Sequence, residues 1–342
     1  MDFLVFLVCC GIVLAVLYDV IVTVISHGGA GPITSIWTKW LWRGVLTLKY
    51  KHGIQWPIRM AGPGMLIGIV TVWYLMFYLC WFFMITMGNY AIKNPNSSEA
   101  VSTSDVLYFI GSSFSTLGIG DLVPSGPPWT LLTTVGALLM SSLISLSISY
   151  FIPVLSAVVK RRYTATQLKL IGATPQDVLD KAWTKPDSNL LNGQVISLLH
   201  SCTECAYQAH LYPVLAYFYS SRELQGLSSS VLNVLDAVAV QKLRENRSGN
   251  LPDPVLDYIF NTIREFATTS STQYDLRYEP DISIQHLNFR KLLEDYKFEF
   301  SKRLQAELVE ILELREQLLR LRYLEGYAPQ PEQEKQRLKK AA

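Results

Sequence analysis

Six consecutive residues, Thr116-Leu117-Gly118-Ile119-Gly120-Asp121, place glycine at alternate positions in a short polar-flanked stretch. In an extended chain successive carbonyls point to opposite sides. Aiming them the same way requires alternate residues in left-handed geometry, which glycine adopts without steric penalty. Several such strands around an axis would stack rings of oxygens that replace the water shell of a dehydrated cation. A second constellation, His200, Cys202, Cys205 and His210, sets two imidazoles and two thiols within eleven residues. That set could ligate zinc. The same spacing also fits a buried helical stripe, with both cysteines acting as small apolar residues beside Leu198, Leu199 and Ala209.

The first motif needs a particular setting. Ser102, Thr103 and Ser104 can cap a helix, with Asp105 in its first turn favouring the dipole. The apolar run from there to Ser115 spans only about 11 residues, too short to cross a bilayer, so it is expected to enter and return. Extended backbone at membrane depth is tolerated only where it lines a cavity. Three apolar stretches can supply the membrane itself. Phe3 to Ile25 holds one carboxylate, Asp19; Pro63 to Met87 and Leu122 to Val159 hold no Asp, Glu, Lys or Arg. Each is long enough to span. The first lacks a basic leader and a small-residue cleavage site, so it reads as a retained helix rather than a signal peptide.

Composition agrees. The 342 residues are 50% hydrophobic and 17% charged, against roughly 25% charged in an average soluble domain. A wholly soluble, secreted or fibrous protein is excluded, and a net charge of +2 does not suit a nucleic-acid binder. Five cysteines, three of them in apolar runs, do not form a disulfide scaffold. Residues 27–62 carry Lys39, Arg43, Lys49, Lys51 and Arg59 and no acid, and Lys160, Arg161 and Arg162 follow the third stretch. The positive-inside rule then places residues 27–62 and everything after 160 in the cytoplasm, with the N-terminus outside, in the cell membrane. Within 27–62, Ile33, Trp37, Trp40, Leu41, Gly44 and Leu48 recur at helical spacing among cations, a pattern suited to a helix lying against lipid headgroups or packed on protein.

The segment Thr-Leu-Gly-Ile-Gly-Asp resembles the potassium-channel superfamily signature Thr-Val-Gly-Tyr-Gly-Asp, and residues 64–160 resemble that superfamily's pore module. The resemblance implies a homotetramer around one ion path. It implies potassium sites formed by the carbonyls of Thr116, Leu117, Gly118 and Ile119, closing at Gly120, with the Thr116 hydroxyl. Asp121 would brace the filter mouth by hydrogen bonding. The chain departs from the signature at Leu117 and at Ile119, which replaces the usual aromatic residue.

The expected fold class is an all-α membrane protein: three transmembrane helices, a re-entrant pore helix with filter, and a helical cytoplasmic domain. The expected divisions are 1–27 for the extra helix, 28–62 for the interfacial helix, 63–162 for the pore, 163–327 for the cytoplasmic domain and 328–342 for a Pro/Gln/Lys-rich disordered tail. Gly136 and Pro153 are candidate bending points in the third span, and Phe151 and Leu155 candidate constriction residues. Asp19 would pair with Arg43 or Arg59, or serve in gating. No span repeats Arg or Lys at every third position, so no voltage sensor is expected. No enzyme is expected either, since no Ser-His or zinc signature lies in the spans. In the soluble half, helices are expected from Thr174-Pro175, over 190–219 with a bend at Pro213, over 228–246, 252–267 and 284–324. Asn96-Ser-Ser98 is a glycosylation sequon. The expected function is a tetrameric potassium-selective channel gated or assembled by that helical domain. The alternatives are a weakly selective cation channel, or a membrane-anchored signalling or scaffold protein with a vestigial pore.

Overall fold

The structure, a computed structural model, describes residues 2–25, 29–52, 56–88, 91–95, 101–183, 189–218, 226–243, 252–271, 289–290, 293 and 302–325. The sequon at Asn96 and the tail from 328 lie outside them. The described chain is almost entirely helical, with α1 (Asp2–Val24), α2 (Pro32–His52), α3 (Trp56–Thr86), α4 (Thr103–Phe114) and α5 (Pro127–Ile171). Two short strands, β1 (Ile92–Lys93) and β2 (Val123–Pro124), pair antiparallel. Among the described residues three helices are long and apolar enough to cross a membrane: Phe3–Val24, Met60–Thr86 and Pro127–Ile171. The third begins later than Leu122 because Val123 and Pro124 are taken up in β2, and it starts at the Pro127-Pro128 pair, whose missing N–H groups cost nothing in a first turn.

The chain forms two compact units, Met1–Gly44 with Pro63–Val154, and Val45–Gly62 with Leu155–Ala342. In the first, α1 buries Cys9, Val13, Val16, Val20 and Thr23, one stripe at three- and four-residue spacing, and leaves Leu4, Leu7, Leu14 and Ile21 exposed on the other faces. The Cys9 thiol meets Cys80 and the Asp19 carboxylate meets Trp73, so α1 and α3 run antiparallel.

Asp19 is fully buried, and its partners among the described residues do not include the expected Arg43; the Arg59 side chain lies outside the described residues. Oδ1 accepts from the Ile33 amide at 2.7 Å, and the Thr34 amide is shared between both oxygens at 3.2 Å. Oδ2 accepts from the Thr34 hydroxyl at 2.6 Å and the Trp73 indole at 2.8 Å. Among the described residues, then, the charge is held by the first-turn amides and dipole of α2 rather than by a cation. Gly31 is required for this approach, since a Cβ there would lie 2.2 Å from Asp19 Oδ1. The Gly31 amide donates to the Thr23 hydroxyl at 2.9 Å and closes the junction. On α2 the same turns bury Thr34, Thr38 and Trp42 and expose Ile36, Lys39, Trp40 and Arg43.

In the second unit, Ala165, Leu168 and Ile171 at the end of α5 enter a core shared with α7 (Asn189–Leu211), α8 (Leu227–Lys242), α9 (Asp253–Ser271) and α10 (Lys302–Leu324). This periodic stripe explains why α5 continues beyond the expected Val159. Thr174 caps the single turn α6 (Pro175–Val178) through a reciprocal pair with Asp177, as its sequence leads one to expect. Helix α7 stops at Leu211 instead of bending on to 219; Pro213 has no amide to continue it and opens a 3₁₀ turn to Tyr217. The described part of the last helix begins at Lys302, and most of 284–301 lies outside the described residues. A buried ion pair joins α8 to α10, with Arg315 Nε 2.9 Å from Asp236 Oδ1 and the guanidinium 4.7 Å over the Phe289 ring.

Replacing Asp19 by Ala strands two amides and an indole in an apolar setting. It is expected to destabilise the detergent-solubilised protein by about 3 kcal/mol or more in thermal unfolding, with Asn restoring part of the loss. A D19A protein as stable as the wild type would contradict this role for the carboxylate.

Candidate ion-conduction site

The site is built from α4 outward. Ser102 caps the helix and accepts from the Asp105 amide, while Asp105 accepts back from the Ser102 amide at 2.9 Å, so the first turn is fixed before the chain enters the unit. Phe109, Ile110 and Phe114 are buried. Phe114 packs tilted against Phe77 (5.8 Å) and edge-on against Trp81 (5.9 Å), two α3 rings that are themselves stacked at 4.6 Å. The Tyr78 hydroxyl donates to the Leu107 carbonyl at 2.5 Å. This aromatic shelf sets the height at which α4 ends and the extended segment starts.

From Thr116 to Gly120 the backbone alternates. Thr116, Gly118 and Gly120 have φ of 61°, 56° and 82°, while Leu117 and Ile119 between them do not enter the left-handed region. The two glycines adopt it freely. Thr116 is the described non-glycine residue with positive φ, and for a β-branched side chain that geometry is strained. Its hydroxyl donates to the Ser115 carbonyl at 2.6 Å. The Leu117 and Gly118 amides both donate to the Ser112 carbonyl, at 3.0 and 3.3 Å, turning the strand's N–H groups back toward α4. No Cβ obstruction surrounds Gly118 or Gly120, so their need for glycine is conformational.

At the far end, Asp121 lies beside the Tyr108 phenol of α4 and accepts from the Leu122 amide at 3.0 Å. Tyr108 is a partner that sequence reading missed. Its position one α-helical turn after Asp105 was visible, but its aim toward residue 121 depends on the strand's path. Beyond Asp121 the β1–β2 ladder, with Ser125 donating to the Ala91 carbonyl at 3.0 Å, ties the exit of the segment to the loop after α3.

The remaining candidates fall into place differently. Gly136 is a packing position in this structure: Trp81 lies across it and donates to the Leu132 carbonyl at 3.3 Å, and a Cβ on residue 136 would sit 2.4 Å from the indole nitrogen. Helix α5 is continuous through Gly136 and Pro153. Phe151 is half-buried and Leu155 exposed. Ser142, Ser145 and Ser149 share with Leu138 and Ile152 a face that the chain itself leaves uncovered, whereas Ser147 is buried and donates to the Leu143 carbonyl. The candidate zinc set is not gathered. Cys202 and Cys205 belong to the hydrophobic core, where burial pushes both thiols up and disfavours the thiolates a metal needs. His200 and His210 are exposed, with the His200 ring against the Tyr258 hydroxyl. Among the described residues no three His, Cys, Asp or Glu side chains converge on one point.

Residues 65–157, which hold the shelf, the alternating strand and most of α5, match the family model described as ion channel. That segment is therefore similar to an ion-channel domain. Over 210 residues the chain is also similar, at 30% identity, to an uncharacterized membrane protein, YdjJ, of Bacillus subtilis (strain 168). The alignment covers 61% of each protein, so the chain spans about three fifths of the length of that curated relative. No solved structure matches the chain.

A packing role for Gly136 has a direct signature. Gly136→Ala is expected to cost about 1–3 kcal/mol in thermal unfolding through overpacking against Trp81, and Trp81→Phe in the same chain to recover part of it. A flexible-hinge role would instead leave Gly136→Ala as stable as the wild type or more so.

Proposed function

We propose that the chain is a potassium-selective channel that conducts through Thr116–Gly120. The observation that carries this reading is the alternation of left-handed residues at 116, 118 and 120, in a strand between two spans of an ion-channel domain. Alternation turns successive carbonyls toward one side, and rings of carbonyl oxygens compensate the dehydration of a monovalent cation. With one such strand per chain, a closed ring calls for a homotetramer, its subunits related by a rotation axis that is also the ion path. The uncovered face of α5, with Leu138, Ser142, Ser145 and Ile152, is then shared between neighbouring subunits and the aqueous cavity.

Asp121 and Tyr108 act together in this reading. The carboxylate and phenol tie the exit of the strand to α4, so the carbonyl rings keep their diameter. Ile119 offers no hydroxyl or ring of its own for that purpose, which places more of the restraint on the Asp121–Tyr108 pair. The basic segments 27–62 and 160–162 face the cytoplasm, and the helical unit from Leu155 onward regulates opening from that side.

The test is the bi-ionic reversal potential of the purified full chain in planar bilayers, potassium against sodium. The expected result is a reversal near the potassium equilibrium value, abolition of current by Gly118→Asp, and a shift toward zero in Tyr108→Phe as the exit loosens. Equal permeability in the wild type favours the weakly selective reading, and a folded tetramer without current favours a scaffold.

A further inference from the structure

Along α5, after its most apolar part, lies a polar cluster that the conduction reading does not use. Arg161, on the turn of α5 that follows Val158, is held on two sides. Its Nη1 donates to the Leu215 carbonyl at 3.2 Å, and its Nη2 donates to Glu325 Oε1 at 2.5 Å. Glu325 stands immediately after α10 and is 6% exposed. Its Oε1 also accepts from the Ser228 hydroxyl at 2.7 Å, in the first turn of α8. The last turn of α10, the start of α8 and the end of the pore-lining helix therefore converge on one carboxylate.

Two further observations bear on what this cluster does. The Asp236–Arg315 pair fixes the register of α10 on α8, so the position of Glu325 is set from within the core rather than by the flexibility of a loop. Glu325 Oε2, by contrast, is buried with no hydrogen-bond partner among the described residues. A carboxylate satisfied on one oxygen only is held less firmly than a fully bonded one, while separating it from Arg161 without solvation leaves a buried charge unpaired. The cluster thus has two acceptable arrangements: docked and paired, or released and hydrated.

We propose that Glu325 is a positioning residue for gating. It fixes the cytoplasmic end of α5 through Arg161, and release of the last turn of α10 is the event that frees that end to move. This rests on the conduction reading given above. It adds a contact within the helical unit that holds the part of α5 following the channel-like segment, where Thr164, Ala165 and Leu168 just beyond Arg161 are buried in the same unit.

The test compares the full-length wild type with Glu325→Gln, Arg161→Gln and the double variant, by amide hydrogen exchange over residues 155–171 in nanodiscs and by open probability in bilayers. Glu325→Gln is expected to speed exchange by about tenfold, the loss of one charge-assisted hydrogen bond. Arg161→Gln is expected to speed it more, because it leaves the carboxylate unpaired, and the double variant to return toward the Glu325→Gln level. Both single variants shift open probability in the same direction, with unitary conductance and reversal potential unchanged. Ser228→Ala removes a hydrogen bond but no charge, and is expected to move both readouts the same way by a smaller factor; it decides the matter if Glu325→Gln does not fold. Unchanged exchange, faster exchange with unaltered open probability, or strictly additive single effects would each overturn the proposal. A silent wild type contradicts the conduction reading instead, and the exchange comparison alone then decides whether Glu325 holds the helix end.

Discussion

Backbone that is neither helix nor closed sheet cannot lie bare in hydrocarbon, because each unsatisfied amide or carbonyl there costs several kcal/mol. Residues 116–121 are such backbone, placed between two apolar helices. Their N–H groups are partly dealt with by the Ser112 carbonyl, which takes two of them. In the proposed reading their carbonyls face the ion path. The other features of the first unit can be understood as ways of keeping that strand in place.

The supports are of different kinds. Dispersion and ring quadrupoles in the Phe77–Trp81–Phe114 shelf fix the start of the strand, and the Asp121–Leu122 hydrogen bond and a two-residue ladder fix its end. Aromatic packing is stiff but not directional at the level of a single atom, whereas the hydrogen bonds of the ladder are directional, so the two are complementary. Thr116 is the place where this restraint is most visible. A threonine at φ 61° persists only where the surroundings over-determine it, with the Ser112 carbonyl on the amides that follow and the Ser115 carbonyl on its hydroxyl. Farther away, the Asp19 junction makes α1 and α2 part of the scaffold, by burying a charge against the first turn of a helix.

What sequence reasoning reached, and what it did not, follows from the range of the interactions. The spans, the Ser102–Asp105 cap and the alternation at Gly118 and Gly120 depend on residues a few positions apart, so pattern alone exposes them. The left-handed Thr116 was hidden because its side chain argues against that geometry, and only the path between Ser112 and Gly118 imposes it. Asp19 looked like a candidate for a cation because its real partner, Trp73, is 54 residues away and the other donors are backbone amides that any sequence would supply. Gly136 looked like a hinge because a helix glycine has two uses, flexibility and close approach, and Trp81 decides between them. The cysteine–histidine cluster failed in the same way: helical spacing places Cys202 and Cys205 inward and His200 outward.

The central claim is that the carbonyls of residues 116–119 coordinate potassium directly. Anomalous scattering from rubidium, in crystals of the full chain grown in a rubidium salt, tests it without reference to gating. The account predicts a file of peaks on the symmetry axis at the level of these four residues, lost when sodium replaces rubidium. An axis empty at that level, with rubidium only in the bulk or against surface carboxylates, would contradict it.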